Sequence, residues 1–191
     1  MHSRSLPATL ALTVLLCAGT ASSQEIALNL DSAKTTVQFT LGASLHTVHG
    51  NFKLKRGAIR FDPATGKIGG EAVVDATSGE TGSEGRDRRM HAQILESARF
   101  PEIVFTPDRV EGAVAKQGAS QVQVHGTFRI HGAEHEITLP VHVEVTEMAN
   151  GGVTAKIHFT IPYVKWGLKD PSTFFLHVSD KLDIDIAACT R

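Results

Sequence analysis

Residues 121–132, with the sequence QVQVHGTFRIHG, alternate between apolar and polar positions. The apolar parity holds Val122, Val124, Gly126, Phe128 and Ile130. Successive side chains of a β-strand point to opposite faces, so this period of two predicts a strand with one dry face and one wet face. Such a dry face can enclose either a packed core or a space kept for a ligand.

The same alternation recurs along most of the chain after residue 25, in about eight or nine segments that begin with a short one at 26–30. The connections between most segments are tight, as in HGAEH at 131–135 and EMANGG at 147–152, and DPATG at 62–66 is a turn by composition. Short connections join strands that are antiparallel neighbours. The pattern therefore predicts a sequential antiparallel sheet within a single domain.

The apolar parity switches once inside a single segment. Phe52 and Leu54 alternate with lysines, and after Gly57 the apolar positions become Ile59 and Phe61. A switch of this kind at a glycine predicts a β-bulge, which bends the strand and keeps its apolar side facing inward.

One helical segment interrupts the strands, at 86–101 with the sequence RDRRMHAQILESARFP. Met90, Ile94 and Leu95 lie three to five residues apart and share one side of a helix. Pro101 is expected to end the helical run. Because the helix has an apolar side, we expect Met90 and Ile94 to help cover one end of the sheet structure.

Eight or so consecutive strands with one dry face have two economical solutions, a sandwich of two sheets or a closed barrel. Closure removes exposed strand edges, and an eight-stranded interior is either packed by side chains or holds one small ligand. Periodicity does not distinguish these interiors. The residues predict an all-β fold and leave the content of the barrel open.

The composition fits a protein of strands and turns, with 17 Gly and 7 Pro beside 41% hydrophobic residues. Charge is balanced, with 19 Lys and Arg against 20 Asp and Glu. No basic cluster alternates with aromatic residues, so no nucleic-acid partner is expected.

Residues 1–23 have the layout of a secretory signal peptide. A basic start at Arg4 precedes an apolar run over 6–17, and small residues follow, with cleavage expected within 21–24. Removal of this segment leaves residues 24–191 as the mature domain. The expected location is therefore periplasmic or secreted.

The two cysteines suggest little covalent chemistry. Cys17 lies at the end of the signal, where the preceding Leu16 is larger than the small residue that lipoprotein signals require, so lipidation is the less favoured alternative. Cys189 then remains alone in the mature chain. It is expected to be inert, and a disulfide to a second chain, forming a homodimer, is the alternative.

Histidine is the residue type that most suggests other functions. Four histidines occupy the polar parity of different strands: His125, His131, His142 and His158. His46 and His49 add an HxxH pair. Zinc requires three or four converging ligands, so we predict no metal site, with a His-rich metal-binding stress-response protein as the alternative function. No motif supplies a nucleophile beside a base, so a hydrolase of lipid esters is the weaker rival and no enzyme activity is expected.

Three stretches together resemble the YceI-like family of periplasmic polyisoprenoid-binding proteins: HTVHGNFKLKRGAIRFDP, VVDATSGETGSEGRDRRMHAQILESARFPEIVF and GTFRIHGAEHEITLPV. The most specific part runs from Arg86-Asp87 to FPEIVF at 100–105, and the likeness extends from Val37 to the last strand. The resemblance implies an extended lipocalin-like, eight-stranded antiparallel barrel with a helix against one end. It also implies that a polyisoprenoid or an isoprenoid quinone lies in the barrel pore, with no cofactor and no catalytic residues.

The resemblance makes the inward apolar residues candidates for a lipid-binding pore. Those on the strands are Val37, Phe39, Phe52, Phe61, Val74, Phe105, Val122, Val124, Phe128, Ile137, Leu139, Ile157 and Phe159. Met90 and Ile94 from the helix complete the set at one end. For each of them, plain core packing is the alternative.

Trp166 and Tyr163 lie together in the stretch IPYVKWGLKDPS. Their amphipathic rings favour a position at the pore mouth, where Trp166 would contact the ligand or a membrane surface. The alternative, which we favour, is that the two rings anchor this loop to the barrel rim.

Overall fold

A computed structural model describes residues 25–147 and 153–190. The expected signal peptide at 1–23 lies outside the described residues, as does most of the turn expected at 147–152. Strand and turn structure dominates the described part, and no helix within it is long and apolar enough to cross a bilayer.

The described residues form strands β1 to β9 and one short helix, α1. The strands are β1 (Ile26–Asn29), β2 (Thr36–Gly42), β3 (Thr47–Phe61), β4 (Ile68–Glu80), β5 (Glu102–Glu111), β6 (Gly118–Ile130), β7 (Ala133–Glu147), β8 (Val153–Ile161) and β9 (Leu182–Cys189). Helix α1 (Glu84–Arg89) lies between β4 and β5 and continues directly into a π-helical turn, Met90–Ile94.

The sheet closes into a barrel. Strands β2 to β9 each pair antiparallel with the next strand along the chain, and β9 pairs back with β2, so that Val37 faces Ile186 across the closing ladder. The short strand β1 pairs with the second half of β3, beside the ring. The eight-stranded antiparallel barrel is therefore confirmed, and the sandwich was the wrong alternative.

The predicted bulge in β3 is confirmed. The ladder between β3 and β4 shifts register between Leu54 and Arg56, where the apolar parity of the sequence changes. A second shift lies between Asn51 and Lys53. Because the bulge turns the strand, Phe52 and Phe61 both face the barrel interior despite their opposite parity.

Tight turns follow the local sequence. His131 and Gly132 join β6 to β7 with φ values of 52° and 77°, which is the left-handed pair of a type I′ hairpin turn. At the β3–β4 turn, the Asp62 carboxylate accepts hydrogen bonds from the Ala64 N–H at 3.0 Å and the Thr65 hydroxyl at 2.6 Å. The left-handed residue pair in the first turn and the aspartate hydrogen bonds in the second are both local features, which explains why both turns could be predicted from the sequence.

The helical segment is shorter than the run predicted over 86–101. It begins at Glu84 and ends at Ile94, well before Pro101. Glu96 has a φ of 45°, and its carbonyl accepts the N–H groups of Arg99 and Phe100 at 2.8 and 2.9 Å. This left-handed residue reverses the chain, so the turn at Glu96 and not the proline stops the helix.

The barrel has two ends of different construction. The end that we call the helix end carries the β2–β3 turn, α1 with its π-helical turn, the β6–β7 turn and the long loop 162–181 between β8 and β9. The opposite end carries β1, the β3–β4 turn and the loop 112–117.

Gly126 is the position in β6 that the fold constrains most clearly. A Cβ atom at this residue would lie 2.5 Å from the Thr106 carbonyl oxygen and 2.9 Å from the Pro107 Cα, both backbone atoms of the neighbouring strand. Gly126→Ala should lower the free energy of unfolding by about 1–3 kcal/mol in chemical denaturation. Gly69→Ala, in β4 with nothing within 4 Å of the added Cβ, is the matched control and should be near neutral. Equal stability of the two variants would contradict the close approach of β5 and β6.

Candidate functional site

A cavity of about 1060 Å³ runs along the inside of the barrel. Every strand of the closed ring contributes side chains to its wall, and the lining reaches residues at both ends. Apolar side chains from alternate positions of the strands form most of this wall. The volume lies just above the range of about 300–1,000 Å³ for small-molecule sites.

The structure brings almost all of the predicted pore residues together on this wall. The residues that line it are Val37, Phe39, Phe52, Phe61, Val74, Met90, Ile94, Phe105, Val122, Val124, Phe128, Leu139, Ile157 and Phe159. Several are also core residues, since Phe39 and Val122 are 5% and 3% exposed. Each therefore lines a space and packs against its neighbours, so the two alternatives of the sequence analysis coexist.

Aromatic rings form two groups in the cavity wall, one around Phe128 on β5, β6 and β8 and one on β2 and β3. Phe128 lies at the centre, with its ring centroid 4.6 Å from that of Phe105 and 6.1 Å from that of Phe159. Phe39 and Phe52 form a second pair at 5.4 Å. Apolar rings and branched side chains offer van der Waals contact and no hydrogen bonds, which suits a hydrocarbon chain.

Two of the predicted pore residues, Ile137 and Trp166, are not among the residues that line the cavity. Ile137 is half-buried and packs against the hydrophobic cluster that includes Phe128 and Leu139. Trp166 stacks on His135, with ring centroids 4.8 Å apart and planes 7° apart, and lies 5.6 Å from Phe128. Contacts within the protein therefore occupy the indole face.

The loop with Trp166 and Tyr163 is anchored to the barrel rim, the alternative that we favoured. Tyr163 is 5% exposed and packs with Leu95, Ile130 and Leu168. Its hydroxyl donates a hydrogen bond of 2.8 Å to the Ser179 carbonyl. Burial, reinforced by the charges of Asp170 and Asp180, raises the pKa of Tyr163 to about 12.

The helix covers part of the helix end, as expected for Met90 and Ile94. Both are half-buried, pack against the cluster of Leu95 and Tyr163, and line the cavity. His91 holds this segment to the barrel, because its Nε2 lies 2.8 Å from the Gly79 carbonyl and its Nδ1 2.9 Å from the Ser97 hydroxyl.

The motif residues Arg86 and Asp87 fix the entry to the helix. The Asp87 carboxylate accepts hydrogen bonds from the N–H and the hydroxyl of Thr81. Arg86 donates from Nε to the same hydroxyl at 2.7 Å and from its guanidinium to the Thr81 carbonyl at 3.0 Å. Both residues of this sequence motif therefore position the cover of the cavity.

Basic side chains line the cavity only near its ends, among the residues that the structure describes. His46, Arg86 and Arg89 contribute at the helix end, and Lys116 contributes at the opposite end. All four are exposed. A ligand in the middle of the cavity would thus meet an apolar wall, and a polar head could reach water at an end.

The sequence analysis missed the most exposed apolar residues of the described chain. Phe174 and Phe175 are 95% and 89% exposed in the loop 162–181, and Leu45 is 81% exposed in the β2–β3 turn. A signal was present, because two consecutive phenylalanines in a loop cannot both face the interior of a period-two structure.

The histidines lie at separate positions and contact different partners. His125 contacts Thr138 at 2.8 Å, His131 contacts Glu96 at 3.0 Å, and His158 contacts Asp185 at 2.8 Å. His46 lines the cavity, whereas His49 contacts Thr40 on the adjacent strand. Within residues 25–147 and 153–190, no three His, Cys, Asp or Glu side chains come close enough to hold a metal ion.

Cys189 is buried near the end of β9. It is 6% exposed, and its N–H donates to the buried Thr35 hydroxyl at 3.1 Å. A disulfide to a second chain would require local opening of this strand end, which favours the inert thiol.

Residues 28–189 match the sequence profile of the YceI-like domain. No curated protein sequence matches this chain.

Several solved structures are similar in fold to this chain. BcnA of Burkholderia cenocepacia aligns with a TM-score of 0.70 and 19% identity, over 85% of this chain and 99% of that chain. A polyisoprenoid-binding domain from Saccharophagus degradans, implicated in plant cell wall breakdown, aligns at 0.63 and 17%, over 84% and 95%. The YCEI protein of Campylobacter jejuni aligns at 0.61 and 20%, over 77% and 86%. At these identities the similarity shows the fold alone.

Tyr163 provides a direct test of how the loop is anchored, because it is the only tyrosine in the sequence. Its ordinary pKa is about 10, and burial raises the folded value to about 12. The stabilising effect of this group is therefore fully present below about pH 10 and is lost as the pH rises through about 12. We expect the tyrosinate absorbance of the native protein to titrate near pH 12 and that of the denaturant-unfolded chain near 10.

Tyr163→Phe is the control for this titration and should abolish the signal. A native titration near pH 10, in a protein whose circular dichroism still shows the sheet, would contradict the buried hydroxyl.

Proposed function

This chain belongs to the family of YceI-like domains, and from that premise we propose that it binds an isoprenoid lipid inside its barrel. The ligand is a polyisoprenoid or an isoprenoid quinone, held for transport or storage. The protein acts as a carrier or reservoir and catalyses no reaction. The ligand itself is the small molecule that the site requires, with no further cofactor.

The observation that carries this proposal is the apolar cavity of about 1060 Å³ inside the barrel. Its wall combines phenylalanines with branched aliphatic side chains, and its charged residues lie near the ends. An isoprenoid tail is apolar along its length and needs no hydrogen-bond partners, so this wall matches the tail chemically. The S. degradans relative, named as a polyisoprenoid-binding domain, supports the same ligand class.

The length of the barrel interior and the free energy of burying apolar groups also agree with an isoprenoid ligand. β6 has 13 residues and β7 has 15, so strands tilted as in other barrels enclose an interior roughly 30–40 Å long. Each CH₂ group removed from water contributes about 0.8 kcal/mol. A few isoprene units would therefore hold a lipid that is too insoluble to cross an aqueous compartment alone.

The remaining features of the proposal rest on the sequence. The signal-peptide pattern at 1–23 favours a periplasmic or secreted protein, a compartment in which lipids must travel between membranes. Contact with a membrane surface and a homodimer are further predictions about partners. The His-rich metal-binding function remains the alternative prediction.

Organic extraction of protein purified in its native state, followed by mass spectrometry, tests the ligand class. We expect an isoprenoid lipid in near-stoichiometric amount. Elemental analysis of the same untagged protein is the parallel measurement. Stoichiometric zinc together with the absence of any lipid would overturn the carrier function and favour the metal-binding alternative.

Substitutions in the cavity test its location. Phe128→Asp places a carboxylate in the apolar wall, and lipid occupancy should fall at least about tenfold because the charge has no partner there. Ala155→Trp, which fills the cavity from β8 without adding charge, should reduce occupancy as well. The matched control is Gln121→Asp, which adds the same charge on the exposed face of β6. Unchanged occupancy in folded Phe128→Asp and Ala155→Trp proteins would place the ligand elsewhere.

A further inference from the structure

The loop between β8 and β9 presents two adjacent aromatic rings to solvent. Phe174 and Phe175 are 95% and 89% exposed, and their rings form an edge-to-face pair with centroids 5.0 Å apart. Leaving two such side chains in water forfeits the hydrophobic stabilisation that burial would provide. A contiguous exposed apolar patch of this kind marks a surface that contacts something apolar.

Local hydrogen bonds in the loop hold the two phenylalanines in their exposed positions. Phe174 and Phe175 form the tip of a tight turn, in which the Thr173 N–H donates to the Leu176 carbonyl at 2.8 Å and the Leu176 N–H donates back at 3.3 Å. The stem is closed by the Val178 N–H, which donates to the Ser172 hydroxyl at 2.9 Å. A turn held in this way presents its tip residues outward as a defined wedge.

The stem is also tied to the neighbouring β2–β3 turn. The Ser44 N–H donates to the His177 carbonyl at 2.9 Å, and the Ser179 N–H donates to the Gly42 carbonyl at 2.8 Å. These bonds bring Leu45, which is 81% exposed, to the same side of the barrel. We call Leu45, Phe174 and Phe175 the apolar tip.

The apolar tip lies at the mouth of the lipid cavity. Leu176, which follows Phe175, lines the cavity, and so does Val178 in the stem. His46, which follows Leu45, lines it as well. An apolar path therefore continues from the tip into the barrel, so that a chain leaving the cavity at this end would emerge beside the exposed rings.

We propose that the apolar tip is a docking surface for a lipid bilayer, which it penetrates so that the cavity mouth at the helix end opens onto the membrane. This inference rests on the proposed lipid-binding function, because a carrier of a membrane lipid must load and unload at a bilayer. Phenylalanine and leucine are residues by which peripheral proteins enter the boundary between head groups and acyl chains.

The size of the tip favours a bilayer over a second copy of the chain. One aromatic side chain buries about 150–250 Å², so the two rings with Leu45 fall short of the roughly 800 Å² per partner that a stable protein interface needs. A bilayer requires no complementary shape and accepts a small convex wedge.

Basic side chains at the same end complement a membrane surface. Arg86 and Arg89 both line the helix end of the cavity and are exposed. Arg88 pairs with Glu84 at 3.4 Å, whereas the Arg89 guanidinium makes neither a hydrogen bond nor an ion pair within the described part of the chain. A free guanidinium at the same end of the barrel as the apolar tip favours bilayers that contain anionic head groups.

Flotation with vesicles tests the docking surface, in parallel with sedimentation velocity of the protein alone. The vesicles contain phosphatidylethanolamine with or without phosphatidylglycerol, and the protein carries its natural lipid. Wild-type protein should float with the vesicles, more strongly when phosphatidylglycerol is present. Phe174→Ser combined with Phe175→Ser should weaken this association at least about tenfold, because each inserted ring contributes to partitioning. Phe175→Trp should retain it.

Ala113→Ser is the matched control, because Ala113 is an exposed apolar residue in the loop 112–117 at the opposite end of the barrel. It should float as the wild type does. All variants should melt at the wild-type temperature, since none removes a buried side chain. The double serine variant should also keep its extracted lipid, which separates docking from binding in the cavity.

Three results would overturn the docking surface. The first is equal flotation of the double serine variant and the wild type, and the second is no flotation of the wild type. The third is a wild-type dimer in sedimentation velocity that becomes a monomer in the double serine variant, which would assign the tip to a second copy. Failure of the lipid-binding function has a different signature. In that case, extraction yields no isoprenoid while tip-dependent flotation persists.

Discussion

The hydrogen-bonded ladder between β9 and β2 is the interaction on which the rest of the structure depends. It joins the last strand of the ring to the first, so that every strand of the barrel has two hydrogen-bonded neighbours. Closure satisfies the backbone groups that an open sheet would leave on its edges. It also forces the dry face of every strand toward one enclosed axis, since the wet faces must remain outside. The alternating pattern of the chain thereby becomes a tube with an apolar lining.

The circumference of this tube decides what its lining can do. Eight strands enclose an interior that side chains either fill or leave partly free for one ligand. Here, residues such as Phe39 and Val122 are nearly inaccessible to solvent and yet border a continuous cavity. Stability and ligand binding therefore use the same atoms. A substitution in the wall therefore alters both properties.

The helix end of the barrel combines anchored segments with an exposed apolar surface. At the helix end, the hydrogen bonds that join Asp87 to Thr81 and His91 to Gly79 hold the helical segment across the barrel, and buried Tyr163 holds the long loop against the rim. The same loop then sends Phe174 and Phe175 into solvent. A firmly anchored base and an exposed tip are compatible because the turn at 173–176 is closed by its own backbone bonds. Anchoring and presentation are thus separate properties of adjacent stretches of one loop.

The sequence by itself determined the strands, the bulge near Gly57, the turns at 62–66 and 131–132, and fourteen of the apolar residues that line the cavity. These features depend on alternation, glycine and short-range hydrogen bonds, which act over a few residues. Only the tertiary structure decided that Ile137 and Trp166 pack within the protein, that the helix stops at Ile94, and that Phe174 and Phe175 lie outside. Those outcomes depend on partners distant in sequence, such as His135 for Trp166 and Ser44 for the stem of the tip. A local period carries no information about such contacts, because they form only once the ring has closed.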